Sequence, residues 1–400
     1  MDPITHGITG ALLGKAYFSK REARVSVFAA TLGAVFPDVD VIADAISRDP
    51  LAIVKYHRGI THSFFGMAFF AAGLAWLTRW VLRRWKIASP SWAMLTLIYG
   101  VGILSHIILD GMTSFGTRLW APFSSRRVAW DLLFIIDLTL TSLGLLPQLV
   151  AWIYRDPARS TRRAIGLWIF YTLAIAGAWE AARSVQAGFH IWVGAVASVM
   201  VAILFFAPAN RGRGFRISRA RWCQLGVYAM ALYIVACGLA HHAALRRVDN
   251  FAAANHINVV RIGAVPVPPS LLDWGDAIRT TDGVYQSRFD LRNPNPPAFT
   301  FSADSPPDAF TARALELPEV HVYWNFARFP IIRTTAEDDR HVVNFGENRF
   351  VNRRRQGVQP FTYSVVFDDS GKVIEQGWLT NGMFLRNMQR VAPQPGDAPQ

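Results

Sequence analysis

Histidine and aspartate residues occur in four short segments within the first 110 residues of this 400-residue chain. They border or interrupt apolar segments, where such polar side chains are costly to bury unless a partner compensates for the cost. Neutral imidazole nitrogens and carboxylate oxygens are common ligands of zinc, manganese and iron. We therefore predict that these segments bind metal. The seven candidate ligands are His6, Asp38, Asp40, His57, His62, His106 and Asp110.

The spacing of the candidates indicates how they are presented. His106 and Asp110 are four residues apart, so on a helix they share one face. Asp38 and Asp40 follow a proline and suit an extended turn. A set of this size can hold two or three ions that share a bridging carboxylate, which is typical of hydrolases rather than of structural zinc sites.

Arg58 lies between two of the histidines in the segment YHRGITHS. Its guanidinium matches the oxygens of a phosphate group in a bidentate manner, although an arginine beside lipid headgroups is also ordinary. The candidate catalytic residues are therefore Asp38, Asp40 and Arg58. Either aspartate could bridge metal ions or orient a water molecule, and the sequence does not choose between them.

The motifs THGxxGxxxG, PDxD, HRGxTHS and SHxxLDxxTSxGTxLxxPF resemble the YdjM-like family of membrane-bound metal-dependent hydrolases. That family is distantly similar to zinc-dependent phospholipase C and related single-strand nucleases, whose helical fold holds several zinc ions. The resemblance implies phosphoester hydrolysis with Zn²⁺ as the divalent metal, in two or three copies, and with Mn²⁺ as the alternative. All seven candidate ligands match motif positions, and Asp137 in FIIDL is a further possible position.

Composition favours a membrane protein, because 52% of the residues are hydrophobic and only 17% are charged. We predict a mainly α fold, with a polytopic helical membrane domain followed by a smaller β-rich soluble domain. About 20 apolar residues are needed to cross a bilayer. The predicted spans are 64–81, 92–110, 131–153, 164–180, 191–208 and 222–245, preceded by two shorter apolar segments at 3–18 and 25–37. Gly7, Gly10 and Gly14 fall close to one helical face and are predicted to allow close helix packing.

Basic residues concentrate in alternate loops, and such loops remain in the cytoplasm. These loops are 15–24, 79–86, 155–163 and 211–221. We therefore predict a multi-pass protein of the bacterial inner (cytoplasmic) membrane, with every candidate ligand toward the non-cytoplasmic face. The C-terminal domain would then be periplasmic or extracellular.

The chain changes character near residue 248, where prolines, charged residues and alternating apolar positions replace the long apolar runs. The predicted division is a helical membrane hydrolase domain at 1–247 and a β-rich soluble domain at 248–400. The segment 319–330 is predicted to be a strand, and a hairpin is predicted around Asp369, Ser370 and Gly371. His321 and His341 are predicted to be surface or packing residues, and the stretch 347–356 to be a basic loop.

The formal charge of +13 would suggest nucleic acid in a soluble protein. Here the cytoplasmic loops account for most of it, since they face anionic lipid, so the expected partner is membrane lipid and no nucleic acid is expected. The predicted activity is hydrolysis of a lipid or lipid-linked phosphoester by metal-activated water. The alternatives are a metal-ion or proton-coupled transporter, and a noncatalytic membrane scaffold that uses its tail to bind a partner.

Overall fold

The computed structural model describes residues 1–19, 22–47, 49–184, 191–206, 217–267, 271–337, 339–350, 359–379 and 389–390. The chain divides into two compact units, each assembled from separate stretches of sequence. The first unit comprises Met1–Pro37, Phe64–Asp110 and Ile135–Ala236. The second comprises Asp38–Ser63, Gly111–Phe134 and Cys237–Gln400.

The first unit is helical. Its helices are α1 (Pro3–Tyr17), α2 (Ala23–Val35), α5 (Phe64–Arg84), α6 (Trp92–Gly111), α7 (Leu138–Ile153), α8 (Ser160–Ser184) and α9 (Ile191–Phe206), with the first part of α10 (Arg219–Ala254). Among the described residues, four helical stretches are long and apolar enough to cross a membrane: Ala23–Ala43, Phe64–Arg84, Trp92–Gly111 and Arg219–Ala254. The predicted polytopic helical membrane region is therefore confirmed.

One of the predicted spans is shorter than expected. The helix expected over 131–153 begins only at Leu138, because Asp137 is its N-cap and accepts the backbone N–H of Leu140 at 2.8 Å. Helix α7 is therefore 16 residues long. The span expected over 191–208 corresponds to α9, of which Ile191–Phe206 is described, and residues 207 and 208 lie outside the described residues. The predicted span 164–180 lies within the 25-residue helix α8.

Small residues bring α1, α2 and α6 close together, as predicted for the glycines of α1. A Cβ atom at Gly10 would lie 2.5 Å from the carbonyl oxygen of Ala30 in α2. On α6, a Cβ at Gly102 would lie 2.5 Å from the same oxygen and 2.9 Å from the backbone nitrogen of Ala34. Side chains larger than hydrogen cannot be accommodated at these crossings without movement. The three helices are consequently fixed closely against one another.

The second unit contains two antiparallel sheets and several short helices. One sheet has the order β1 (Arg261–Pro266), β2 (Asp273–Arg279), β3 (Gly283–Asp290) and β4 (Thr300–Ala303). The other has the order β5 (Pro330–Glu337), β6 (Arg340–Glu347), β7 (Tyr363–Asp368), β8 (Val373–Trp378) and β9 (Gln389–Arg390). The short helices are α3 (Val41–Ile46), α4 (Ala52–Lys55), α11 (Ala309–Glu316) and α12 (Pro318–Phe326), with 3₁₀ turns at Ile60–His62 and Asn348–Phe350.

The strand predicted over 319–330 is wrong. Most of it forms helix α12, which starts at Pro318, a residue whose fixed φ suits the first helical turn. Val320, Tyr323 and Phe326 are three residues apart and all buried, so the apolar pattern of the segment also fits a helix. The hairpin is confirmed, since β7 and β8 pair around a turn in which Gly371 has φ of +80°.

The core of the second unit includes residues from both stretches that connect membrane helices. Leu51, Val54 and Phe115 are buried in one apolar cluster with Tyr363 and Trp378 of the C-terminal sheet. The indole N–H of Trp378 donates to the carbonyl oxygen of Pro50. These two connecting stretches therefore fold with the C-terminal sheet, while a linear domain boundary at residue 248 stays a prediction.

The remaining sequence predictions for the tail concern its histidines and its basic stretch. His321 is exposed on α12. His341 stacks on Phe310 at a centroid distance of 3.8 Å and contacts Asp369. The loop predicted over 347–356 is wrong in its described part, since Glu347 ends β6 and Asn348–Phe350 form a 3₁₀ turn in which Arg349 is buried. Residues 351–356 lie outside the described residues.

Candidate metal site

His6, His106 and Asp110 lie together inside the first unit. His6 Nε2 lies 3.2 Å from Oδ1 of Asp110, and His106 Nε2 lies 3.5 Å from Oδ2. The two imidazole rings stack with centroids 3.6 Å apart. The terminal ammonium of Met1 also contacts Asp110. All of these groups are buried, and the shared helical face predicted for His106 and Asp110 is confirmed on α6.

The tautomer of His106 follows from its backbone contact. Its Nδ1 lies 2.7 Å from the carbonyl oxygen of Ala34, which can only accept a hydrogen bond. Nδ1 therefore carries the proton, and the lone pair of Nε2 is directed toward Asp110. A backbone carbonyl that fixes the tautomer in this way is the usual support for a metal-binding histidine.

A second network surrounds Asp40 in the second unit. His57 Nδ1 lies 2.8 Å from Oδ1 of Asp40, and His62 Nδ1 lies 3.1 Å from Oδ2. Oδ2 also accepts the hydroxyl of Thr61 at 2.7 Å and the backbone N–H of Arg58 at 3.0 Å. When both imidazoles donate from Nδ1, their Nε2 atoms remain as candidate metal donors.

Four of the predicted ligands form a group that could hold a metal ion. Each of Asp38, His62, His106 and Asp110 offers one ligand atom, and these atoms all lie within 4.8 Å of one another. Asp38 is partly buried and the other three are fully buried. Two imidazoles and two carboxylates are a donor set suited to a divalent transition metal such as zinc or manganese. The donors present therefore fit the predicted cofactor class.

The three remaining predicted ligands lie beside members of this group within their own units. His6 contacts Asp110, as described above. Asp40 contacts Nδ1 of His62, whereas Nε2 of the same ring lies 3.6 Å from Asp38. His57 contacts Asp40.

Arg58 is buried, with 2% of its surface exposed. Its Nη1 donates to the hydroxyl of Thr113 at 2.7 Å, and its guanidinium carbon lies 5.1 Å from the ring centroid of Phe115. The backbone of Arg58 is in the left-handed region, with φ of +57°. These contacts hold the guanidinium inside the unit, one residue from His57.

Both carboxylate oxygens of Asp137 make structural hydrogen bonds. Its Oδ1 caps α7 and its Oδ2 accepts the hydroxyl of Tyr233 at 2.9 Å. The sequence predictions did not include Thr61, whose hydroxyl donates to Asp40 beside the two histidines. Its position inside the motif HRGITHS, directly before His62, was the available signal.

These observations define a class, a helical membrane protein with a buried group of histidines and aspartates that could hold a metal ion. The particular family follows from comparison with known proteins: the chain belongs to the family described as YdjM inner membrane protein, which matches residues 1–244. No curated protein and no solved structure matches the chain.

Proposed function

We propose that this protein is a metal-dependent hydrolase of the membrane that cleaves a phosphoester. The observation that carries the proposal is the convergence of four ligand atoms from Asp38, His62, His106 and Asp110 within 4.8 Å. Dedicated structural zinc sites in proteins are built mainly from cysteine thiolates and histidine. A site of two histidines and two carboxylates is instead typical of hydrolytic metal centres.

The residues of the site have distinct roles in this proposal. Asp38, His62, His106 and Asp110 hold the metal, with His6 as an additional donor beside Asp110. A divalent ion held there supplies Lewis acidity, which polarises a phosphoryl oxygen and acidifies water.

The other polar side chains orient the metal ligands or bind the substrate. Asp40 orients His57 and His62 through their Nδ1 protons. Arg58 offers a fixed cation to the anionic oxygens of the substrate, and its burial strengthens that interaction relative to water.

The substrate class we propose is a lipid or lipid-linked phosphoester. Two ligands, His106 and Asp110, lie on α6, and Asp38 lies in the stretch Ala23–Ala43; both stretches are long and apolar enough to cross a membrane. A site built from the ends of such segments lies at the depth of phosphate headgroups. The distribution of basic loops supports a site on the non-cytoplasmic side.

The test is elemental analysis of detergent-purified protein, followed by a screen of phosphodiesters and phosphomonoesters on the same samples. We expect the wild type to retain zinc or manganese and to hydrolyse one substrate class, and a His62→Ala, His106→Ala double variant to lose both. His321→Ala, which changes an exposed histidine of α12, is the control and should retain both.

Failure of the wild type to bind either metal after reconstitution would contradict the proposal. It would favour a transporter, in which such ligands bind a permeating ion only weakly. Stoichiometric metal without hydrolysis, together with unfolding on metal removal, would instead identify a noncatalytic scaffold.

A further inference from the structure

Three arginines and two phenylalanines alternate in a continuous stack within the second unit. The guanidinium carbons of Arg58 and Arg127 lie 5.1 and 5.3 Å from the ring centroid of Phe115. Those of Arg127 and Arg349 lie 5.8 and 4.9 Å from the centroid of Phe326. These are cation–π distances. We refer to Arg58, Phe115, Arg127, Phe326 and Arg349 as the Arg–Phe stack.

The stack reaches the turn at residues 54–58, which carries His57. Arg127 Nη2 donates to the carbonyl oxygen of Val54 at 2.7 Å and lies 3.4 Å from that of His57. Arg118 Nη2 donates to the same oxygen of Val54 at 3.0 Å, and its backbone N–H donates to the carbonyl oxygen of Arg58 at 3.1 Å. The carbonyl groups of Val54, His57 and Arg58 are thus bound by residues of Gly111–Phe134.

The turn needs such support because of its backbone conformation. Arg58 has φ of +57°, a left-handed region that is unfavourable for a residue with a Cβ atom. Its backbone N–H binds Asp40, which also binds His57 and His62. Relaxation of the turn would therefore disturb both imidazoles.

The far end of the stack is anchored in the C-terminal region. Arg349 Nη1 donates to the carbonyl oxygen of Ser114 at 2.6 Å, and Nη2 donates to that of Phe326 at 2.9 Å. Its Nε lies 3.1 Å from the carboxylate of Glu347. Phe326 and Arg349 lie beyond residue 244, where the family match ends.

The arginines of the stack repel one another, and the aromatic faces help to offset that repulsion. Burial, together with the charges of Arg118, Arg58 and Arg349, lowers the pKa of Arg127 to about 9. The phenyl faces, the backbone carbonyls and the carboxylates of Asp40 and Glu347 offset this repulsion along the stack. Loss of one ring removes an attractive contact on each of two cations.

We propose that the C-terminal region positions the metal site, with Arg127 and Phe326 as positioning residues that hold the turn at residues 54–58 through the Arg–Phe stack. The inference rests on the proposed metal site but concerns a different part of the chain. It gives the β-rich region a defined role: it completes the scaffold of a site whose ligands all precede residue 111.

The test uses full-length protein carrying Arg127→Lys or Phe326→Leu. Lysine keeps the charge but loses the planar fork that binds two carbonyls, and leucine keeps an apolar side chain but loses the π face. Two readouts are taken well below the melting temperature: hydrogen exchange of the peptide covering 54–62 in metal-free protein, and zinc affinity by competition with a chelator. We expect exchange of that peptide to be at least about 10-fold faster, and zinc binding to be about 10- to 100-fold weaker.

Matched controls are Arg126→Lys, at the exposed neighbouring arginine, and Phe329→Leu, at a buried phenylalanine outside the stack. Unchanged exchange and affinity in both stack variants would overturn the inference. An equal loss in Phe329→Leu would also overturn it, because general destabilisation would then explain the result. If the turn loosens as expected but wild-type protein binds no zinc, the stack retains its structural role and the proposed function fails.

Discussion

At the scale of single residues, the site depends on which nitrogen of each histidine carries the proton. The sequence predicted the residue types but not these tautomers, because the partners are distant in sequence or are backbone atoms. Ala34 is 72 residues from His106, and its carbonyl oxygen gives no signal in the side-chain pattern. Asp40 was predicted as a ligand, a bridge or a water-orienting residue, and its contacts with His57 and His62 favour a different role, the orientation of these two imidazoles.

Replacement of Asp40 by asparagine tests that role. Asp40→Asn keeps the shape but removes the charge and replaces one of the two oxygens that accept Nδ1–H hydrogen bonds by an NH₂ donor, so at least one imidazole loses its acceptor. We expect metal affinity to fall about 10- to 100-fold, the usual effect of losing a group that supports a metal ligand. Chelator competition measures it. Asp49→Asn, in the same connecting stretch but bonded to Lys55, is the control and should bind metal normally.

Asp276 gives a prediction about pH. Its carboxyl group is buried in β2, and neither oxygen has a hydrogen-bond partner among the described residues. Burial raises the pKa of Asp276 well above its usual value of 3.8. The folded-state pKa then exceeds the unfolded one, so the contribution of this carboxyl to stability is fully present below about pH 4 and is lost as the pH rises toward the folded-state pKa.

We therefore expect Asp276→Asn to be more stable than the wild type near neutral pH, by about 1 kcal/mol. Its melting temperature should also fall less between pH 4 and 7. Thermal unfolding across that range measures both effects, with the exposed Asp369→Asn as the reference variant. Parallel pH profiles of the wild type and Asp276→Asn would show that this carboxyl does not titrate differently on folding.

At the scale of elements, close helix packing sets the positions of His6 and His106. The glycines of α1 were recognisable from their spacing on one helical face. The matching role of Gly102 on α6 was not, because a glycine in an apolar run does not reveal which helix it will face. Its contact with Ala30 and Ala34 places α6 so that His106 reaches the carbonyl oxygen of Ala34.

Two alanine substitutions on α6 distinguish the effect of this close contact from the general effect of replacing a helical glycine by alanine. Gly102→Ala would place a Cβ atom 2.5 Å from the Ala30 oxygen, whereas the nearest atom to a Cβ at Gly100 is 3.9 Å away. We expect Gly102→Ala to destabilise the protein by about 1–3 kcal/mol and to weaken metal binding. Gly100→Ala should be neutral or slightly stabilising in a helix. Equal melting temperatures and metal affinities for the two variants would contradict the assigned role of the crossing.

At the scale of the whole molecule, hydropathy predicted a helical membrane region followed by a β-rich tail. It did not predict that Leu51 and Phe115, which lie between membrane helices, would be buried with Trp378 of the tail. Periodicity reports local elements, whereas such long-range apolar contacts depend on the tertiary fold. The error over 319–330 is local: the alternation of Val320 and Val322 suggested a strand, whereas the buried residues follow the three-residue spacing of Val320, Tyr323 and Phe326.

The orientation of the chain is the remaining prediction at this scale. The basic loops predict that the C-terminal region faces away from the cytoplasm and that loop 155–163 faces it. A single cysteine at Ser370 or at Ala158, both exposed, tests this after Cys223 and Cys237 are replaced by alanine. A membrane-impermeant maleimide should label Ser370→Cys in spheroplasts and Ala158→Cys only after permeabilisation. The reverse pattern would put the C-terminal region in the cytoplasm, and the proposed substrate would then have to be supplied from the inner leaflet.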